Sequence, residues 1–156
     1  MNSGVLIREI HRGEEAEACQ LVVESFNEFI APGYSDEGVN EFLKYVNPES
    51  MQKRLADDSY ALVAVIDGLM AGVIEVRSNN HIALLYVKKE YQRRGIAGKL
   101  VKSAIEKSRR SDRTIAEIEV NSSPYAVKIY EKLGFTGVDA EQTVNGIRFT
   151  PMKLKL

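Results

Sequence analysis

A single cysteine, Cys19, stands in the sequence, and that scarcity excludes an internal disulfide and any metal site built on paired cysteines. No metal is expected. Cys19 shares an apolar stripe with Val22, Val23, Phe26, Phe29 and Ile30, so it reads as a small buried hydrophobe rather than a nucleophile. A dominant charge is also missing: 21 basic and 22 acidic side chains leave a formal net charge of −1. The chain as a whole is therefore no polyanion binder, and any attraction for phosphate must be local. The cluster Arg109, Arg110 and Arg113 is too small, and too free of interleaved aromatics, to argue for nucleic acid. No segment approaches the roughly 18 apolar residues of a membrane span, and the N-terminus has no apolar signal core. A cytoplasmic location away from membranes is the expectation. Internal repeats, low-complexity tracts and linker-like runs are absent too, so residues 1–156 are expected to form one domain.

Against those absences stands an ordinary globular composition, 44% apolar and 28% charged. Val5 to Ile10 reads as a strand and Gly13 to Ile30 as an amphipathic helix that Ala31-Pro32-Gly33 ends. A second helical stretch, about Asp36 to Ala56, is interrupted near Asn47-Pro48, which leaves open whether it is one helix or two short ones. Ala61 to Ile66 and Ala71 to Val76 form a hairpin about Asp67-Gly68. Ile82 to Val87 follows as a nearly continuous apolar strand, which suggests burial on both faces. A helix over Ile96 to Arg109, a strand over Thr114 to Val120, and a helix capped by Ser123 with Pro124 in its first turn come next. That helix ends at Gly134, and Asn145-Gly146 sits between two further strands. The order β-α-α-β-β-β-α-β-α-β-β predicts a mixed α/β fold with a partly antiparallel sheet.

One segment carries chemistry. YQRRGIAGKL, Tyr91 to Leu100, packs two glycines, an alanine and three cations where a strand hands over to a helix. An ATP-binding P-loop would need glycine at Arg93 and Ser or Thr at Leu100, so that reading fails. A dinucleotide fingerprint fails as well, because Ala97 and Leu100 stand at two of its three glycines. What remains is Gln92-x-x-Gly95-x-Ala97 at a helix start, where the unpaired amides of the first turn attract an anion. Small residues at Gly95 and Ala97 let a diphosphate approach, and Arg93, Arg94 and Lys99 add charge. Judged alone, the segment fits equally well a helix that merely begins with glycine and has solvated flanks.

The rest of the chain resembles the GNAT superfamily of N-acetyltransferases. Gln92, Gly95 and Ala97 match its acetyl-CoA signature, "LLYVKKEYQRRGIAGKL" is alike over residues 84–100, and Tyr130-Glu-Lys-Leu-Gly134-Phe135 matches its second signature. The element order is also that of the family. The resemblance implies a mostly antiparallel seven-stranded sheet, flanked by about four helices, with splayed central strands. It implies acetyl-CoA as cofactor, its pantetheine arm between the strand of Leu85, Tyr86 and Val87 and the strand of Ile118 to Val120. The diphosphate would lie on the turn of Gln92, Arg93, Arg94, Gly95, Ile96, Ala97, Gly98 and Lys99, with Asn121 and Ser123 nearby.

For the chemistry, the resemblance makes Tyr130 the acid that protonates the departing sulfur, where the residue alternative is a core tyrosine. His81 lies eleven residues before Gln92, the spacing at which histone-acetylating relatives carry a catalytic glutamate, and an imidazole suits that role. Glu75 on the neighbouring strand is the reserve base. The acceptor, a small-molecule or peptide amine, is expected beside Phe26, Phe29 and Tyr34, with Glu24, Glu28, Asp36 and Glu37 near enough to attract a cation. A non-catalytic acyl-CoA-binding sensor of the same fold is the competing expectation. The Asn145-Gly146 hairpin offers an edge for a homodimer.

Overall fold

The computed structural model describes residues 4–156. Its elements in chain order are β1 (Val5–Glu9), α1 (Glu15–Phe29), α2 (Asp36–Tyr45), α3 (Pro48–Leu55), β2 (Ser59–Ile66), β3 (Leu69–Arg77) and β4 (His81–Val87). After these come α4 (Ile96–Ser111), β5 (Glu117–Ser122), α5 (Val127–Lys132), β6 (Thr136–Gly137), β7 (Gln142–Val144) and β8 (Ile147–Lys155). The mixed, mostly antiparallel architecture is the one expected, with eight strands instead of seven and five α-helices instead of about four among the described residues. The added strand, β6, is two residues long and has no periodicity to read. The added helix arises at Asn47-Pro48: the Asn47 side chain accepts from the Ser50 amide at 2.9 Å, capping α3, while Pro48 occupies its first turn.

The sheet runs β1-β2-β3-β4-β5-β8-β6, with β7 paired to β8 as a ribbon. All pairings are antiparallel except β4 with β5. One apolar cluster fills the face under α4 and α5, including Ile74, Ile82, Leu100, Ile118 and Phe135. A second fills the face under α1 and α3, including Leu21, Val22, Met51, Val63 and Val73. Burying both faces of β2 and β3 demands near-continuous apolar runs, which is what VAVI and GVIEV supply. Cys19 is buried in the second cluster, where desolvation pushes its thiol up to about 11. Among the described residues no helix is long and apolar enough to cross a membrane, and no group of three potential metal ligands occurs.

Three local features that bear on the site differ from the sequence reading. The strand expected from Thr114 begins at Glu117, because Asp112 folds the chain back by accepting from the Thr114 amide and hydroxyl at 2.9 and 2.6 Å. The helix expected from Pro124 opens as a 3-10 turn, Pro124–Ala126, before α5. Ser123 still caps it, its hydroxyl oxygen accepting from Ala126 at 3.3 Å. Finally, β4 is fully buried at His81, Ile82 and Leu84 but only half-buried at Ala83 and from Leu85 to Val87. Its outer end borders open space.

Candidate active site

That open space begins where two neighbouring strands part. β4 and β5 pair in parallel only at His81–Glu119 and Ile82–Val120. Beyond this point β4 stays paired to β3 as far as Val87, and β5 to β8 as far as Ser122. A bulge helps to separate them. Glu75 opposes Leu84 and Val76 opposes Ile82, which leaves Ala83 without a register partner. The ladder thus stops, and the edge of β4 toward β5 is left without a strand partner over the residues that line the gap.

At the far end of β4 the chain makes a 3-10 turn, Lys89–Tyr91, and enters α4 through two residues in the left-handed region, Arg93 at φ 64° and Gly95 at φ 76°. Nothing lies within 4 Å of where a Cβ on Gly95 would stand, so its glycine requirement comes from the backbone angle and the turn opens to free space. The first helical hydrogen bond of α4 runs from the Lys99 amide to Gly95 at 3.1 Å. The amides of Ile96, Ala97 and Gly98 precede it and have no helical acceptor. Gln92 has a structural part in this arrangement: its side-chain amide donates to the Val87 carbonyl at 3.1 Å, tying the turn to the strand end.

The gap and the turn belong to one cavity of about 820 Å³. Leu85, Tyr86 and Val87 line it from β4, and Asn121 and Ser123 from the end of β5. Gln92, Arg93, Gly95, Ile96, Ala97 and Gly98 line it from the turn. Tyr130 reaches it from α5, and Phe26, Phe29 and Tyr34 from the opposite side. Arg94 and Lys99 are not among the lining residues; the Arg94 guanidinium lies over the Tyr91 ring, 5.5 Å from its centre. Tyr130 is 5% exposed and meets Phe135 edge to face, and burial holds its phenol far above the ordinary tyrosine value. It is a proton holder at neutral pH. Burial acts in the same sense on Tyr86, which feels the charge of Tyr130 and Tyr34 as well.

The two residues expected as bases stand apart from the lining. Glu75 is wholly buried and both its oxygens are taken by Arg54, at 2.7 Å from Nε and 3.0 Å from Nη2. Arg54 in turn donates to the Tyr45 carbonyl at 2.6 Å and lies 3.6 Å over the centre of the Tyr45 ring. A carboxylate held this way is the buried half of an ion pair. His81 starts β4 at the closed end of the gap, with Nδ1 3.0 Å from Glu119 Oε1. Desolvation lowers its pKa, against the raising effect of that contact, so the imidazole is neutral at pH 7.

The acidic residues expected beside the acceptor are not in the lining either: Glu28 binds Lys89 at 2.6 Å, and Asp36 and Glu37 occupy the first turn of α2. Glu41, Phe42 and Tyr45 of α2 line the cavity instead, together with Asn145, Arg148 and Phe149 of the β7–β8 hairpin. What brings these distant segments together is a contact between two glycines. A Cβ on Gly38 would run into the Gly146 carbonyl oxygen, and one on Gly146 into the Gly38 nitrogen. Tyr34 Oη also donates to the Arg148 carbonyl at 2.8 Å, and Arg148 Nη1 to the Gly33 carbonyl at 3.2 Å. The tip of the hairpin is thus packed within the chain, and only β7, exposed at all three residues, keeps an edge for another copy. A glycine inside DEGVNEFLKY, an otherwise good helix, was the one signal in the sequence for this contact.

Comparison with known proteins follows the same geometry. A family model described as "Acetyltransferase (GNAT) domain" matches residues 30–156. An uncharacterized N-acetyltransferase of Escherichia coli strain K12, YafP, is 26% identical over 140 residues, covering 90% of this chain and 87% of that protein. The crystal structure of a GCN5-related N-acetyltransferase from Rhodopseudomonas palustris superposes with a TM-score of 0.84 at 22% identity, over 99% of this chain and 97% of the other. PaiA N-acetyltransferase from Thermoplasma acidophilum, solved in complex with coenzyme A, gives 0.79 at 21% identity, over 97% of this chain and 99% of the other.

Proposed function

Since the chain belongs to the GNAT acetyltransferase family, we propose that it moves an acetyl group from acetyl-CoA directly to a primary amine. The observation that carries this reading is the continuity of the β4–β5 gap with the Gly95 turn and Tyr130 in one cavity. The coenzyme A complex of the PaiA relative supports it. The residues fit a diphosphate. The Ile96, Ala97 and Gly98 amides at the N-terminus of a 16-residue helix would hold it, and Arg93 would add charge. Leu85, Tyr86 and Val87, facing Asn121 across the gap, would guide the pantetheine arm with main-chain groups.

Transfer forms a C–N bond to the acyl carbon and breaks its C–S bond, so the amine must lose a proton and the departing sulfur must gain one. Tyr130 is the proposed donor, because it lines the cavity and burial keeps it protonated at neutral pH. The amine must arrive or become neutral. His81 is the proposed base, acting through solvent from the closed end of the gap; Glu75, held by Arg54, is not proposed to take part. The proposed setting is the cytoplasm, which suits a chain with one buried, unpaired cysteine.

The test is a screen of amines with acetyl-CoA, monitored by release of free thiol. Turnover of at least one amine, with Tyr130→Phe strongly impaired, is expected. Acetyl-CoA binding without turnover of any amine would make the chain a binding module and overturn the transfer reading.

A further inference from the structure

The walls of the cavity point to the kind of amine it takes. Ten of the twelve Tyr and Phe residues in the chain line it, Tyr60 and Phe135 being the exceptions. On the acceptor side four of these rings are in mutual contact. Phe42 stacks on Phe26, with centres 3.8 Å apart and planes 6° from parallel. Tyr34 meets Phe26 edge-on at 5.5 Å, and Tyr86 meets Phe42 edge-on at 6.3 Å. The result is one continuous aromatic wall contributed by α1, α2, β4 and the segment between the first two helices.

Charge on this side is sparse. Among the described residues Glu41 is the single carboxylate in the lining. It stands next to Phe42, is 40% exposed at its side chain, and has Lys44 at 3.8 Å as a distant ion partner. Arg148 is already committed, its guanidinium held by Glu141 at 3.0 and 3.4 Å and by the Gly33 carbonyl. The remaining lining cations, Arg93 and Lys132, belong to the Gly95 turn and to α5, on the donor side. A polyamine needs several anionic partners along its length, and an amino acid needs a free cation for its carboxylate. This wall has neither.

We propose that the acceptor is a primary monoamine carrying a flat apolar group, with its ring against Phe42 and Tyr34, the half-buried rings that the buried Phe26 backs, and its ammonium first received by Glu41. An ammonium is attracted both to a carboxylate and to the faces of aromatic rings, so the same wall serves both ends of such a molecule. The inference rests on the transfer reaction proposed above.

The experiment compares the full chain on phenethylamine, spermidine, glutamate and a lysine-containing peptide, each with acetyl-CoA and thiol release as the readout. Phenethylamine is expected to show a kcat/KM about tenfold or more above the other three, the scale on which an apolar pocket discriminates. Glu41→Gln should raise KM for phenethylamine about tenfold, as expected for one lost charge-assisted contact, while acetyl-CoA affinity measured by calorimetry stays the same. Spermidine, glutamate or the peptide leading the series, or an unchanged KM in a Glu41→Gln variant with wild-type melting behaviour, would overturn the inference and leave acyl transfer standing. Silence in all four arms overturns it too, and a wider amine screen that is equally silent would bring down the transfer reading beneath it.

Discussion

The two halves of the cavity are built by different means. The floor of the donor half is local: β4, the Gly95 turn and α4 are consecutive, each feature of the turn is set within a few residues, and β5 and α5 close the half from across the gap. The acceptor half is assembled from α1, α2 and a hairpin more than 100 positions further on, joined through Gly38 and Gly146. Backbone groups dominate the first half and side chains the second. A shared ligand is most economically held by main-chain amides, which any sequence supplies, whereas a particular acceptor needs particular side chains. The donor half should therefore respond to changes in backbone angle, and the acceptor half to changes in side-chain size and charge.

The largest expected effect is on stability beneath the acceptor half. Arg54→Met leaves the Glu75 carboxylate buried without its partner, and should cost about 3–5 kcal/mol in a denaturant titration. Adding Glu75→Leu to Arg54→Met should recover most of it. A loss below about 1 kcal/mol would mean that the pair behaves like an exposed one. Next, Tyr130→Phe should lower kcat by about 100-fold, the scale of a well-placed acid, with acetyl-CoA affinity unchanged. An unaltered rate would remove Tyr130 from the chemistry.

Gly38→Ala sharpens the division directly. The new methyl group meets the Gly146 backbone, so the hairpin must shift, at a cost of about 1–3 kcal/mol. Amine KM should rise while acetyl-CoA affinity holds, and equal damage to both would erase the distinction between the halves. The smallest effect concerns His81. Its folded pKa lies below the ordinary value of 6.5, so its contribution to stability is complete above that pH and is lost as the pH falls through the folded value. His81→Gln should flatten the drop in melting temperature between pH 7 and pH 5, and should move the acidic limb of the rate profile. An unmoved limb would exclude His81 as the base.

The same division decided what could be read from the residues alone. Gln92, Gly95 and Ala97 were legible because a helix entry in the left-handed region needs glycine, and because the signature lies within six residues. Asn47-Pro48 and Ser123-Pro124 were legible for the same reason, since a cap and a first-turn proline are local. Ala83 was not: a bulge in an apolar strand leaves no trace in the pattern and is defined only by the register of β3. Glu41, Phe42 and Tyr45 were missed because an amphipathic helix does not announce which strand it crosses. Glu75 read as a reserve base, since nothing near it in sequence reveals that Arg54 of α3 encloses it.

In the proposed binding mode the first-turn amides of α4, presented by the left-handed Gly95, hold the diphosphate of the acyl donor. Calorimetric titration of acetyl-CoA into the wild-type chain and into Gly95→Val tests it most directly. A β-branched residue at φ 76° is strained by about 1–2 kcal/mol yet meets no neighbour, so the fold should survive while the turn is re-set. Micromolar binding by the wild type is expected, with affinity weakened about tenfold or more in the variant, equivalent to about 1.4 kcal/mol. Equal affinities, or a wild-type chain that does not bind acetyl-CoA, would contradict it.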